Sequence, residues 1–347
     1  MYLNRRRFIE ICGLTSLNIF GLFSAFPGRE YLKGAENYHD SENLHEAKFY
    51  KRLKDDRIQC ELCPNECIVD DIERGTCGVR ENRGGKYYDL VHSRPCAVHL
   101  DPVEKKPFFH FYPSTLAFSI ATAGCNIECK YCQNWNISQS RPEQIRSFYL
   151  PPEEVVKKAK ELKATSIAFT YTEPVIFYEY MYDIARIAHK SGIKTGMISN
   201  GYINEKPMSD LLPFLDGVKI DLKSFNEKFY KDICRGELKP VLDTLIMIKR
   251  RNRWLEIVYL MIPTLNDKKE EIEKMCEWIF NHLGPDVPLH FTRFHPVYRL
   301  KNLPPTPVSS LEAAKEAGIK KGLHYVYIGN VPGHNGENTY CPFCNKM

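Results

Sequence analysis

The chain has 347 residues, 43% of them hydrophobic and 26% charged, with a formal net charge of +5. That length suits one large barrel or more than one domain, and the composition is ordinary for a globular protein with a sizeable core. The charge is too mild to argue for nucleic acid, and no basic run with interleaved aromatics stands out after residue 30. Thirteen cysteines is a high and odd number. Their close clustering favours metal sites in a reducing compartment over disulfides.

The N-terminal stretch Asn4-Arg5-Arg6-Arg7-Phe8-Ile9-Glu10 looks like a twin-arginine export signal. The weakly apolar segment Ile11 to Phe26 follows it and is too short and too polar for a confident membrane span. No clear Ala-x-Ala cleavage site precedes Pro27-Gly28. Residues 1–30 therefore read as a signal or anchor, against a bland alternative of a disordered or interfacial end with a chance arginine cluster. Residues 31–50 are polar and read as a linker.

Residues 51–107 form a Cys-rich module. Cys60, Cys63, Cys67 and Cys77 lie close enough in sequence to close one tetrahedral site around zinc or an iron–sulfur cluster. A module this poor in apolar residues needs such a staple. Disulfides are the competing reading if the protein is exported and oxidised.

From Pro102-Val103-Glu104-Lys105-Lys106-Pro107 the chain enters a second domain, 108–330, with regular alternation of element types. Strands are expected at Leu116–Thr122, Ser166–Thr172, Lys194–Ser199, Gly217–Leu222, Trp254–Pro263 and Pro288–Phe294. Helices are expected at Pro152–Lys163, Val175–Ser191, Lys206–Phe214, Pro240–Arg251 and Lys268–His282. Leu311–Lys321 follows the sixth strand as a helix, and His324–Ile328 reads as a trailing strand. Repeated βα units imply a parallel sheet with helices outside, and sites in such barrels collect at the C-terminal ends of strands.

The first of those ends carries the most specific motif. Ala123-Gly124-Cys125-Asn126-Ile127-Glu128-Cys129-Lys130-Tyr131-Cys132 places three cysteines at x3 and x2 spacing after an apolar strand. A 4Fe–4S cluster normally takes four thiolates, so a loop with three leaves one iron open. Gly124 allows the close backbone approach such a loop needs. A zinc knuckle is the competing reading, but zinc sites usually offer paired CxxC knuckles or histidines. The loop resembles that of the radical S-adenosylmethionine (SAM) superfamily. The resemblance implies an α/β fold, a partial (β/α)6 TIM-like barrel. It also implies a 4Fe–4S cluster on Cys125, Cys129 and Cys132 whose open iron chelates the methionine moiety of SAM.

The other strand ends then acquire expected roles. Strand two ends in Thr170-Tyr171-Thr172-Glu173-Pro174, where the superfamily often has Gly-Gly-Glu. Glu173 is kept for the SAM ammonium, and the glycines are missing. The alternative is a helix-opening Glu followed by Pro. Ser199 and Asn200, before Gly201, resemble the Thr-Asn-Gly that contacts SAM in pyruvate formate-lyase activases. Asp221 and Lys223 resemble the activases' Asp-Leu-Lys, which meets the ribose and the methionyl carboxylate; a solvated ion pair is the bland alternative. The Met261-Ile262-Pro263 backbone is expected to line the adenine. His295, in Arg293-Phe294-His295-Pro296, is the expected sixth-strand SAM contact, against a satisfied core histidine.

Residues 331–347 form a polar, glycine-rich tail expected to lie over the barrel. Its Cys341 and Cys344 are a possible extra metal or redox pair. One view has them sharing a site with Cys60 and Cys63; the other, preferred here, has the N-terminal four sufficient alone. From about Cys60 to Cys344 the chain resembles one branch, the AmmeMemoRadiSam-system radical SAM enzymes related to pyruvate formate-lyase (glycyl-radical enzyme) activating enzymes. Its marks are the CxLCPxxC module, Asp101 to Pro107, the cluster loop with Gln133-Asn134-Trp135, Arg293-Phe294-His295-Pro296, and the Asn338-Thr339-Tyr340-Cys341-Pro342 tail.

The expected function is reductive cleavage of SAM to a 5′-deoxyadenosyl radical for hydrogen abstraction, activase-like, on an unnamed protein or small-molecule substrate. The alternative is a non-catalytic iron–sulfur or zinc protein in redox sensing or electron transfer. A flavodoxin- or ferredoxin-type electron donor is expected, with Memo-type and AMMECR-type proteins as implied partners and no nucleic acid. The chemistry expects the cytoplasm, while the N-terminus points to export.

Overall fold

The computed structural model describes residues 44–347. The twin-arginine-like segment and most of the 31–50 linker lie outside the described residues. Chain order begins with six short strands: β1 (His45–Glu46), β2 (Tyr50–Arg52), β3 (Ile58–Cys60), β4 (Ile68–Val69), β5 (Arg80–Arg83) and β6 (Lys86–Asp89). They make two small antiparallel sheets, β1-β6-β5 and β2-β3-β4.

The central sheet comprises β7 (Ala97–Pro102), β8 (Leu116–Ala121), β9 (Ser166–Phe169), β10 (Lys194–Ser199), β11 (Gly217–Asp221), β12 (Trp254–Met261), β13 (Leu289–Arg293) and β14 (Val326–Gly329). These strands follow one another in spatial order, with β7 and β14 at the edges. All neighbours from β8 to β14 are parallel, and β7 alone runs antiparallel, against β8. The crossovers carry α1 (Pro152–Glu161), α2 (Tyr178–Lys190), α3 (Glu205–Leu211), α4 (Leu238–Arg250), α5 (Lys269–Leu283) and α6 (Val308–Lys320). This is the partial (β/α)6 TIM-like barrel expected from the sequence, extended by a strand at each edge.

The elements follow from their residues. Strands β8 to β13 are buried along most of their length because helices cover them, so they read as near-continuous apolar runs. Helix α1 turns Val155, Val156 and Ala159 inward and Lys157 and Lys160 outward, the spacing of one apolar stripe. Pro152 opens it, where a missing N–H costs nothing. Strand β7 has no counterpart in the sequence reading. Its Ala97 and Val98 are half-buried and its His99 and Leu100 exposed, so no clear apolar alternation marks it.

The N-terminal ends of the barrel strands are plugged from below. Phe108 and Phe111 are buried against Val103, Ala117, Ala168 and Ile198. Gly217 admits the Phe111 ring, since a Cβ there would stand 2.6 Å from it. Glu256, fully buried on β12, accepts the backbone N–H groups of Phe109, His110 and Phe111 and faces the His290 Nε2 at 2.8 Å. Among the described residues, the barrel's cavity lies toward the C-terminal ends of its strands. Among the described residues no helix is long and apolar enough to cross a membrane.

Candidate active site

A cavity of about 500 Å³ occupies the mouth of the barrel. Its wall brings together Cys125, Cys129 and Cys132 with Glu173, Ser199, Asn200, Asp221 and Lys223, from the ends of β8, β9, β10 and β11. The cluster loop is pinned on several sides. Asn126 donates to the Tyr202 carbonyl at 2.7 Å, and Asn200 donates to Asn126 Oδ1 at 2.9 Å. Gly124, at φ +98°, lets the N-terminal module approach: a Cβ there would meet Val79 at 2.7 Å and the Cys77 carbonyl at 2.8 Å.

The three sulfurs sit among hydrogen-bonding groups. Ser138 Oγ lies 3.1 Å from Cys132 Sγ, and Asn200 Nδ2 lies 3.9 Å from Cys125 Sγ. Burial pushes the Cys125 and Cys132 thiols up. The Cys129 thiol is raised by its contact with Cys234 and then by burial. Cys234 was a scattered cysteine in the sequence. The fold sets it against the loop, where the Glu128 N–H donates to its carbonyl at 2.8 Å and its sulfur lies 3.6 Å from Tyr131 Oη. Its distance of more than a hundred residues from the loop left no local signal.

Glu173 is buried, and its carboxylate is fully engaged. It accepts Ser199 Oγ at 2.6 Å, the Asn200 N–H at 2.7 Å and the Val175 N–H at 3.1 Å. It therefore does cap the Pro174–Phe177 turn, and it lines the cavity as well. Burial pushes its pKa up to about 7, and the hydrogen bonds from Asn200 and Ser199 only moderate the rise.

Lys219 and Asp221 share one face of β11 by its period of two, and Lys223, two residues past the strand's end, joins them in lining the cavity. Lys219 contacts Asp221 directly, and Lys223 Nζ donates to Asp221 Oδ2 at 3.2 Å. Burial opposes ionisation of Asp221, but the two ammonium groups outweigh it and hold its carboxyl below the usual range. Two lysines on one aspartate leave a surplus positive charge in the wall. Lys219 carries no motif of its own in the sequence, but its i, i+2, i+4 spacing with Asp221 and Lys223 marks a shared face.

A second lysine–aspartate group faces it. Asp101, on β7, accepts Lys106 Nζ at 2.6 Å and Lys105 Nζ at 2.8 Å, and Tyr171 donates its hydroxyl to the same carboxylate. Burial brings Lys106 down to about 8, although Asp101 pulls the other way. Tyr171 has φ +65°, a left-handed conformation that glycine adopts freely and a bulky residue rarely does. This is the loop where the glycines of the related motif are missing. The Asp101 and Lys106 contacts hold a side chain in place of that freedom. The sequence carries no signal for a site role of Asp101, Lys106 or Tyr171, because they meet only through the fold.

Three predicted groups fall elsewhere. His295 is exposed past the end of β13 and does not line the cavity, whereas His290 on the same strand does. β13 ends at Arg293, so His295 lies in the loop that leaves the sheet. Cys60, Cys63, Cys67 and Cys77 stand within electrostatic reach of one another beside the cluster loop. Cys67 Sγ also meets the Thr76 N–H and hydroxyl at 3.4 and 3.3 Å. The tail touches the mouth through Glu337 and then descends along β14, with Tyr327 Oη 3.0 Å from Thr339 Oγ1. It reaches the base of the sheet, where the Phe343 ring lies 6.1 Å from that of His324, tilted by 59°. Cys341 and Cys344 end up there, partly and fully exposed.

Residues 119–279 match the Radical SAM superfamily. An uncharacterised protein of Methanocaldococcus jannaschii is 45% identical over 304 residues, covering 88% of this chain and 90% of its own. The chain belongs to the radical SAM superfamily. The pyruvate formate-lyase-activating enzyme of Clostridium pasteurianum is 27% identical over 46% of this chain and 67% of its own. A putative glycyl-radical enzyme activating enzyme of M. jannaschii is 26% identical over 61% of this chain and 78% of its own. This radical SAM protein is thus an enzyme with activase-like homologues, and its family implies a 4Fe–4S cluster and SAM.

Proposed function

We propose that this radical SAM protein cleaves SAM reductively and directs the resulting 5′-deoxyadenosyl radical at a C–H bond, as glycyl-radical activating enzymes do. The observation that carries the reading is the convergence of Cys125, Cys129 and Cys132 with Glu173, Asp221 and Lys223 on one cavity. The donor set fits the group the family implies: three thiols in the cavity wall, Cys129 buried and Cys125 and Cys132 half-buried, for three irons, with no fourth cysteine among the residues that line it. When bound, the 4Fe–4S cluster supplies the electron that breaks the sulfonium C–S bond.

The chain's own residues do the rest. Ionised Glu173 accepts from the SAM ammonium, in exchange for the donors it now satisfies. Lys223 meets the methionyl carboxylate, and Asp221 accepts from the ribose hydroxyls. The plug formed by Phe108 and Phe111 keeps bulk water from entering through the base. Lys106, Lys219 and Tyr171 remain to orient the substrate.

The N-terminal Cys60, Cys63, Cys67 and Cys77 are proposed to hold a second, closed site, zinc or iron–sulfur, with a structural role. Membership of the AmmeMemoRadiSam branch rests on the sequence motifs, and with it the Memo-type and AMMECR-type partners. A flavodoxin- or ferredoxin-type donor supplies the electron, which favours a cytoplasm-facing location.

The test is anaerobic reconstitution with iron and sulfide, then SAM and a strong reductant. 5′-Deoxyadenosine forms, and Cys125→Ala, Cys129→Ala or Cys132→Ala each abolishes it together with most of the cluster iron. A variant that retains full iron and turnover, or a loaded wild-type protein that yields no 5′-deoxyadenosine, overturns the reading.

A further inference from the structure

Away from the barrel mouth, the β1–β6 ribbon and helix α2 meet over a second cavity of about 600 Å³. It shares no lining residue with the first. His45, His92 and Asp183 line it from three separate segments: β1, the turn after β6, and the outer face of α2. One donor atom from each lies within 4.8 Å of the other two. His92 Nε2 stands 3.2 Å from Asp183 Oδ2, and the two imidazoles stack with centroids 3.9 Å apart and planes 2° from parallel.

Neither imidazole is placed as core packing would place it. All three residues are half-buried, so their donor atoms meet at the cavity wall and not inside the apolar core. The Ser93 hydroxyl lies 3.1 Å from His92 Nδ1, which can hold the proton there and leave Nε2 as a lone-pair donor.

A separate observation points the same way. Asp89 pairs with His45 across the β1–β6 ladder and lines the same cavity. It is 2% exposed, and its Oδ2 has no hydrogen-bond partner. Arg80 donates through Nε and Nη2 to the Ile176 carbonyl and Glu179, and neither it nor any other described side chain hydrogen-bonds Asp89 Oδ2, although the Arg80 Nη1 is also left without a partner. A buried carboxylate oxygen left without a donor is costly, and a cation or its bound water removes the cost.

We propose that His45, His92 and Asp183 bind a divalent first-row metal ion, of the zinc or ferrous class, whose remaining positions open on the second cavity. Two imidazoles and one carboxylate select such ions over magnesium and calcium, which prefer all-oxygen sets. Three protein ligands leave room for water or a small ligand, the arrangement of a reactive site and not of a closed structural one. Metal–donor distances of about 2.0–2.2 Å put ligand atoms at most about 4.4 Å apart, so a small rotation of the stacked rings closes the site. Asp89 accepts from the bound water. This site is independent of the cluster and of the SAM chemistry proposed above.

The probe is Co²⁺, added anaerobically to the full-length, cluster-loaded protein. In the difference spectrum against the same protein before addition, one Co²⁺ per chain binds with d–d bands and without new sulfur-to-cobalt charge transfer. His92→Ala and Asp183→Asn each weaken it at least tenfold, and excess Zn²⁺ displaces it. Cys63→Ser leaves it in place, which separates it from the thiol sites. Circular dichroism and iron content confirm that the variants remain folded, and His45→Ala, on a two-residue edge strand, provides a variant with little structural burden. Absence of Co²⁺ binding, binding that the histidine and aspartate variants leave unchanged, or a thiolate band removed by Cys63→Ser each overturns the proposal.

Discussion

The side-chain amide of Asn134 donates to the Tyr171 carbonyl at 2.7 Å, joining the loop that carries the three cysteines to the end of β9. Tyr171 is the left-handed residue anchored on Asp101, so this one bond couples the cluster loop to the lysine–aspartate group across the cavity. Asn134→Ala leaves that carbonyl without its partner. The expected cost is about 0.5–1.5 kcal/mol of stability. Cluster iron is retained and 5′-deoxyadenosine formation falls. A variant with unchanged melting temperature and turnover would show that the two segments are positioned independently.

Glu173 predicts a pH dependence. Its folded pKa is about 7 against an ordinary 4.5, so the ligand-free folded chain binds this proton more tightly than the unfolded chain. The proton therefore favours folding at low pH, and that contribution is lost as pH rises from about 4.5 to about 7. SAM binding has the opposite sign, because its ammonium needs the carboxylate ionised. Affinity should fall about tenfold per pH unit below pH 7. Glu173→Gln should weaken SAM by about ten- to a hundredfold at pH 8 and flatten the profile. Calorimetric titration from pH 5.5 to 8 decides; a flat wild-type profile removes Glu173 from the ammonium site.

Arg80 and Glu179, both fully buried, tie the N-terminal ribbon to helix α2. Glu179 also accepts the Lys48 N–H at 2.7 Å. Removing one member of a buried ion pair strands the other, at about 3–5 kcal/mol. Glu179→Ala should cost that much in urea unfolding and raise amide exchange first in residues 44–95. A loss below about 1 kcal/mol would mean that Asp89 compensates Arg80 unaided.

The self-contained N-terminal metal site makes its own prediction. The module packs at the mouth, with Asn65 Nδ2 donating to the Asn126 carbonyl at 2.7 Å, while the tail cysteines lie by the base near His324. A chain ending at Tyr340 should keep all its metal, whereas Cys63→Ser should lose one site and destabilise residues 55–100 while the Cys125–Cys132 cluster still forms. Equal metal loss in the two would mean that Cys341 and Cys344 share the site.

Much of the fold was legible because βα units write themselves locally. The apolar runs and amphipathic stripes located every strand from β8 to β14 and every helix from α1 to α6 to within a few residues, since each element buries its own face. β7 was not legible, because an edge strand with exposed residues has no such pattern. The cysteine motif was legible for a related reason: its three thiols lie within eight residues, so their spacing can be read from the sequence alone. The lysine–aspartate groups, Cys234 beside Cys129, and the meeting of His45, His92 and Asp183 were not. Their members come from segments far apart in the chain, and only sheet order and helix packing bring them together. His295 marks the same boundary from the other side, since its motif was visible but strand length decided where it points. Sequence by itself determined the barrel and the cysteine triad, which depend on local periodicity and spacing. Tertiary structure decided which charges share a cavity, because burial and electrostatic pairing are properties of neighbours in space.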